Sequence, residues 1–422
     1  MSIAKRSPCE SRDVNNYFVR TLKSVASCFG RPPYSVYQSL CRWVSHGPID
    51  KSGRSPSRTG PSVLAAGVIV TASFLVTSPA NASHGLAVQR TPSAPFGIGV
   101  ARCTFVDHTR NLLNYSTTPT SVLSNERKLV TEIRYPTRSV AGEPNPINGA
   151  VPVAKIGGYP MIVFAHGYDV TPETFAPLLD AWVRAGFVVA APFFPDENRF
   201  AVAAQHGANT EDDIRNEPAD MTFVTRAILQ ASAGQSSGCP VANGLVNASE
   251  LGLAGHSDGA TAVALLAYAR GDNLQGVSYA SLRAGLNYRA IVVMSGEEDG
   301  TQSYAVPASQ PAFLNIQSAA DQCNPIRNGV KLYNDIVQSN KWFLELHFAH
   351  HLPPFDGVDA PAYRVVASTS TRFFRITLQG ATLERGLVAY GNQNPPVAEM
   401  FNGEPGPSLS RAPKLSVFCG PN

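Results

Sequence analysis

A serine stands at the centre of Gly255-His256-Ser257-Asp258-Gly259, between the short apolar run LGLA and the helical pattern GATAVALLAYARG, which reads as ending at Gly271. A G-x-S-x-G pentapeptide is chemically pointed only in such a setting. A sharp strand-to-helix turn needs glycines where a Cβ would crowd the chain, and it leaves the serine Oγ exposed. The helix N-terminus beside Ser257 also brings the positive end of a dipole to where an oxyanion would grow. Serine is a poor nucleophile at neutral pH, so a histidine base and an orienting carboxylate must come from elsewhere, in the chain order Ser, acid, His.

Asp321 follows the apolar run FLNIQ in the segment SAADQCNP, and His350 and His351 follow FLELH in FAHHLPPF. Loops at the carboxyl ends of strands are where an open parallel sheet collects its functional groups. Glu297, Glu298 and Asp299, just after AIVVM, are the competing acids and otherwise read as a solvated loop; Asp321 is preferred because it follows the later strand with tight spacing. The adjacent histidines leave the base open between two positions. The cluster His347, His350, His351 has no carboxylate at ligand spacing, so no metal is called for, and no cofactor motif is present. An oxyanion hole needs two backbone N–H groups. One is expected from Asp258, after the nucleophile, and the other from Tyr168 in Ala165-His166-Gly167-Tyr168-Asp169, where Gly167 permits close approach. His166 reads as a buried, hydrogen-bonded loop residue. Tyr168, Phe193, Phe194 and Trp342 are aromatic candidates for an acyl pocket that ordinary core packing explains as well.

Elements able to hold these groups recur along the chain. IGVARCTFVD (98–107) and KLVTEIRY (128–135) alternate like strands and can pair antiparallel. MIVFA, FVVAA, LGLA, AIVVM, FLNIQ and FLELH are continuous apolar runs, as in strands covered on both faces. Helical patterns fill the intervals: 171–186 with Gly186 as its stop, one with Pro218 in its first turn, 328–339 and 363–378. The fold class is therefore α/β, a mainly parallel central sheet with helices on both faces, in one catalytic domain over 96–422.

The chain has 422 residues, 44% hydrophobic and 15% charged, which excludes a disordered, collagenous or coiled-coil protein. A net charge of +3 without a Lys/Arg run gives no footprint for nucleic acid. That charge is segregated. Up to Ala82 there are 10 basic and 3 acidic residues (+7), and after it 24 and 28 (−4). SVLAAGVIVTASFLVTS, between Pro61 and Pro79, follows Lys51, Arg54 and Arg58 and precedes Ala80-Asn81-Ala82, which describes a secretory signal peptide at 61–82 cut after Ala82. A membrane anchor is the alternative, although the run falls just short of the ~20 residues that span a bilayer. Residues 1–60 read as a disordered basic extension, or as a start assigned too far upstream with the true one near Val44, and 83–95 as a linker. Cys9, Cys28 and Cys41 fall in the leader, while Cys103, Cys239, Cys323 and Cys419 form an even set for disulfides in an oxidising compartment, with three connectivities open.

The stretch from about Pro95 to Leu378 resembles the α/β-hydrolase superfamily, in particular secreted dienelactone hydrolase-like proteins, platelet-activating-factor acetylhydrolases and bacterial lipases and cutinases. The resemblance is carried by GVARCTFVDHTRN, FAHGYD, GFVVAAPFFP, EPADMTFV, AGHSDGA and FLELHFAHHLPP. It implies His351 rather than His350 as the base, Asp321 as the acid and Tyr168 at the oxyanion position. Dienelactone hydrolase itself uses a cysteine where this chain has Ser257, so lactone opening is not implied. Polyester-degrading cutinases usually read G-H-S-M-G and carry a tryptophan after the next strand, where this chain has Asp258 and SGEEDG. No lid insertion follows AIVVM, which favours soluble or short-chain esters. The functional expectation is a secreted or cell-envelope serine esterase or lipase acting through Ser257, His351 and Asp321. Its partners would be a small-molecule or lipid ester and transient membrane contact through the apolar leader. An acyltransferase with the same triad and a non-catalytic surface-binding protein are the alternatives.

Overall fold

The computed structural model describes residues 95–407 apart from 116, 118, 139–145, 205–209, 274, 382–385 and 404–405. The expectations for 1–60, for the leader at 61–82, for all but the last residue of the linker and for Cys419 lie outside the described residues. Among the described residues no helix is long and apolar enough to cross a membrane.

The strands are β1 (Gly97–Asp107), β2 (Leu112–Asn114), β3 (Ser121–Ser124), β4 (Arg127–Thr137), β5 (Ile147–Asn148), β6 (Tyr159–Ala165), β7 (Val188–Pro192), β8 (Val246–His256), β9 (Tyr288–Met294), β10 (Ala312–Ser318), β11 (Lys341–Leu346) and β12 (Ala398–Asn402). The helices that position the site are α1 (Ala176–Arg184), α2 (Glu217–Ser232), α3 (Asp258–Tyr268), α4 (Ile326–Asp335) and α5 (Ala360–Leu378). One sheet runs in the order β12-β11-β10-β9-β8-β6-β7-β4-β1-β5. Its centre, from β7 to β11, is parallel. β1 and β4 pair antiparallel over their full length, from Gly97 opposite Thr137 to Asp107 opposite Arg127.

Alternation along the strands decides which helix covers which face. Met161, Val163, Leu253, Ile291, Val293 and Phe313 pack with Met221, Val224 and Ile228 of α2 and Val263 of α3. Ile162, Phe164, Ala254, Val292, Leu314 and Leu344 point to the opposite face, with Leu178 and Trp182 of α1 and Phe373 and Phe374 of α5. Both faces are thus buried, as the continuous apolar runs require. The Cys103–Cys239 disulfide fastens β1 to the segment leading into β8 across 136 residues.

Several helix ends differ from the sequence reading, among them the start of the 171–186 helix, which is a 3-10 turn over Pro172–Phe175 before α1. α3 stops at Tyr268 instead of Gly271 because Ala269 turns extended and bridges to Tyr304. α4 begins at Ile326, directly after Pro325, and ends at Asp335. α5 begins at Ala360, where the Asp359 carboxylate accepts the Ala362 N–H. β12, which follows Pro395 and Pro396, was not anticipated and closes the β11 edge in antiparallel pairing.

The order matters for chemistry at one point. From β6 the chain passes through α1 to β7 on one side, then through α2 to β8 on the other. Adjacent strands whose connections leave in opposite directions open a crevice at their carboxyl ends. The loop after β6 and the turn after β8 meet there.

Candidate active site

Ser257 ends β8 and caps α3 with φ +55° and ψ −123°, a conformation that costs an L-residue on the order of 1–3 kcal/mol. Its neighbours explain the glycines. A Cβ on Gly255 would lie 2.3 Å from the Gly259 carbonyl oxygen, and one on Gly259 would lie 2.3 Å from the His166 oxygen. A Cβ on Gly167 would approach Ser257 Cβ to 2.8 Å, so the loop after β6 lies directly against the serine. The Ser257 N–H donates to the Met294 carbonyl at 3.0 Å, which ties the turn to β9.

That loop is held from behind by His166. The ring is fully buried; Nδ1–H donates to the Gly167 oxygen at 2.8 Å and Nε2 accepts the Phe194 N–H at 3.1 Å, an assignment that follows from the partners. Burial lowers its pKa to about 4, so the ring is neutral at physiological pH. Asp169 has φ +55° and its N–H donates to the Glu197 carbonyl at 3.0 Å. Half-buried Tyr168 therefore sits between two anchored residues, with Ser257 on one side of the loop.

Asp321 follows β10 and is fully buried. Its Oδ1 accepts the N–H groups of Cys323 at 2.9 Å and Asn324 at 3.0 Å. His351 Nδ1 lies 2.9 Å from Oδ2 and 3.0 Å from Oδ1. Gln317 Nε2 donates weakly to Oδ2 at 3.3 Å. His351 is drawn to the serine turn by residue 256: the buried His256 donates Nε2–H to the His351 carbonyl at 3.0 Å, and the two ring centroids are 4.7 Å apart. Burial keeps the His256 pKa well below its ordinary value. His350, by contrast, points to solvent. Asp321, Cys323 and His351 also form a trio of metal-ligand types within 4.8 Å, but Cys323 is disulfide-bonded and offers no thiolate, while His351 and Asp321 already bond each other.

The competing acids have other partners. Glu297 accepts from the Asn328 amide, Glu298 pairs with Lys331, and Asp299 pairs with Arg215 at 2.9 Å. Phe194 is buried on His166, with ring centroids 4.9 Å apart, and Trp342 lies near the start of β11 against Phe373. Phe193 takes the Arg102 guanidinium over its ring at 5.3 Å.

The sequence reading overlooked a set of carboxyls behind the loop that follows β6. Glu197 and Glu217 are fully buried, and burial raises both pKa values well above the usual carboxylate range. The charge of Glu217 adds to the rise at Glu197 that burial begins. Asp258 is raised to about 7 by burial and by the charges of Glu211 and Glu297. Asp213 and Asp220 are compensated by buried Arg127, through bonds of 2.6–3.1 Å. The run EDD at 211–213 and Glu217 in EPADMTFV were the available signals, but acidic residues carry no apolar period to betray burial.

A model of the chlorophyllase family matches residues 120–284. That span contains Tyr168, Ser257 and Asp258 and ends before Asp321 and His351. No curated protein of similar sequence was found. Among solved structures, a ferulic acid esterase from Streptomyces cinnamoneus superposes with a TM-score of 0.50 over 72% of this chain and 97% of its own, at 16% identity. The protein is an α/β-hydrolase by fold. This fold is widespread, with 635 solved chains matching, so the reaction of this α/β-hydrolase has to be argued from its site. The structural match speaks for the fold, and the family model for the span 120–284.

Proposed function

We propose that the protein is a serine carboxylic-ester hydrolase in which Ser257 is the nucleophile, His351 the general base and Asp321 the group that orients it. The observation that carries this reading is the bond from His351 Nδ1 to the buried Asp321 carboxylate, next to a serine held at positive φ in a strand-to-helix turn. With Nδ1–H committed to Asp321, the Nε2 lone pair is free to take the Ser257 proton as Oγ attacks the ester carbonyl. The tetrahedral oxygen would be met by the N–H groups of Asp258 and Tyr168. The protonated imidazole then gives its proton to the leaving alcohol, and water hydrolyses the acyl-enzyme by the same route.

The enzyme is proposed to act outside the cytoplasm, on small-molecule or lipid esters, after removal of residues 1–82. The A-N-A site and the four cysteines of the mature part support this, together with the Cys103–Cys239 bond. Pre-steady-state hydrolysis of p-nitrophenyl acetate and butyrate tests the activity: a burst of one p-nitrophenolate per enzyme, absent from Ser257→Ala, is expected. Release of no product by the folded protein would refute it. Product analysis with added alcohol distinguishes hydrolysis from acyl transfer.

A further inference from the structure

β10 and β11 run in parallel register until Ser318 stands beside Leu346, and there the ladder ends. Three residues beyond Ser318 the chain reaches Asp321, and five beyond Leu346 it reaches His351. On the way the two loops are joined by the Ala319 N–H, which donates to the Leu346 carbonyl at 2.7 Å, and by the Ser318 hydroxyl, which donates to the Ala349 carbonyl at 2.5 Å. We infer that Ser318 is a positioning residue for the reaction proposed above: its side chain pins the loop that carries His351 to the loop that carries Asp321, and so sets the alignment of the imidazole on the carboxylate. The effect on rate rests on the ester-hydrolase reading; the contact that is fixed does not.

The hydroxyl is fully engaged. Ser318 and Ala349 are both buried. The single hydroxyl proton goes to Ala349, with the Leu346 oxygen at 3.1 Å as a second, weaker acceptor, and Oγ accepts the Ala320 N–H at 3.1 Å. The Ser318 carbonyl accepts the Asp321 N–H at 3.3 Å, so this one residue bonds to both loops. Leu346 keeps the Ala319 N–H whatever side chain stands at 318, whereas the Ala349 carbonyl has no other donor among the described residues. Removing the hydroxyl strands that buried acceptor, and a loop relieves such a cost by turning its carbonyl towards water.

The side that moves is the base. Asp321 Oδ1 is held by the N–H groups of Cys323 and Asn324, and the Asn324 amide is tied to the Ser295 carbonyl at 2.6 Å, none of which involves the hydroxyl. His351 has fewer supports. Its carbonyl is fixed by His256 at 3.0 Å, and two residues earlier Ala349 is fixed by Ser318. Without the second bond the loop keeps one pivot, which leaves the imidazole free to turn away from the carboxylate. The hydroxyl makes no hydrogen bond to Ser257, to the His351 ring or to the Asp321 carboxylate, so it acts through the backbone. A displacement of about 1 Å at a reacting group costs on the order of a hundredfold in rate, and it falls on kcat because no group that would bind the ester is altered.

Ser318→Ala, read against Ser370→Ala, tests this role on the full chain. Ser370 of α5 is an equally buried serine, whose hydroxyl donates to the Val366 carbonyl at 2.8 Å and accepts the Trp182 Nε1–H at 3.0 Å between α5 and α1. For p-nitrophenyl butyrate, kcat should fall about ten- to a hundredfold in Ser318→Ala with KM within about twofold, and stay at the wild-type value in Ser370→Ala. The downfield proton NMR signal of His351 Nδ1–H, assigned by its absence from His351→Gln, should be lost in Ser318→Ala and kept in Ser370→Ala. A folded Ser318→Ala protein with kcat within about twofold of wild type, or with that signal intact, would overturn the role of Ser318. Should Ser318→Ala not fold, Ser318→Cys, close in size but a weak donor, is judged by the same two readouts. If the wild type hydrolyses no ester, the ester-hydrolase reading fails and the signal alone decides: its loss in Ser318→Ala upholds the clamp, and its retention overturns it.

Discussion

Replacing Asp321 with asparagine separates orientation of the base from everything else the loop does. Oδ1 accepts two backbone N–H groups, from Cys323 at 2.9 Å and Asn324 at 3.0 Å, while Oδ2 faces His351 Nδ1 at 2.9 Å. An asparagine keeps its carbonyl oxygen on the two N–H groups, since turning the amide over would set a donor against two donors. Its NH2 then meets His351 Nδ1. That nitrogen must become the acceptor, the ring proton moves to Nε2, and the atom that takes the Ser257 proton in the proposed mechanism no longer has a lone pair for it. Loss of the correct tautomer costs about 10⁴ in kcat, or roughly 5 kcal/mol of transition-state stabilisation. The fold should survive, because the two loop hydrogen bonds persist. Steady-state hydrolysis of p-nitrophenyl butyrate by wild type and Asp321→Asn, with thermal unfolding of both, measures the effect. A variant that retains activity within tenfold of wild type would refute the assignment of Asp321.

Gly167→Ala would bring a Cβ to 2.8 Å from Ser257 Cβ and 3.1 Å from the His256 oxygen, displacing the oxyanion loop. Loss of one donor there is worth about 10²–10³ in kcat, and a KM effect without a kcat effect would contradict the role of the loop. The Glu197/Glu217 pair predicts a pH dependence of stability. Both pKa values are raised in the fold, so folding takes up protons above the unfolded value of roughly 4.3, and stability falls as pH rises from there towards the folded values, by at most about 1.4 kcal/mol per pH unit per proton. Glu217→Gln should flatten this slope in urea unfolding between pH 5 and 8; an unchanged slope would show that the pair is not responsible. Replacing Cys103 and Cys239 by serine opens a 136-residue loop and should cost about 2–5 kcal/mol in unfolding free energy while sparing kcat of the folded fraction.

The strands that carry the site were legible because each is a continuous apolar run, and β6, β8, β10 and β11 emerged within a few residues of where the runs stand. The strand-to-helix turn at Ser257 was legible for another reason: two glycines at fixed offsets from a serine mark backbone crowding, and both prove closed to any side chain. The choice between His350 and His351 was not open to residue patterns, since adjacent residues share one local context. Burial of one and exposure of the other depend on the packing of His256, Phe175 and Phe355, which come from distant segments. The acids after AIVVM, read as a solvated loop, are half-buried and line a cavity beside α3 together with residues of the 3-10 turn Thr210–Arg215. Charge carries no period, so burial of carboxylates such as Glu197 and Glu217 stays invisible until the chain is folded.

Labelling by a fluorophosphonate tests the central claim most directly. Intact mass and peptide mapping should show a single adduct, on Ser257, with loss of esterase activity in proportion to labelling and no adduct on Ser257→Ala. A folded protein that remains unlabelled, or one that hydrolyses esters while carrying the label elsewhere, would contradict the assignment of Ser257 as the nucleophile.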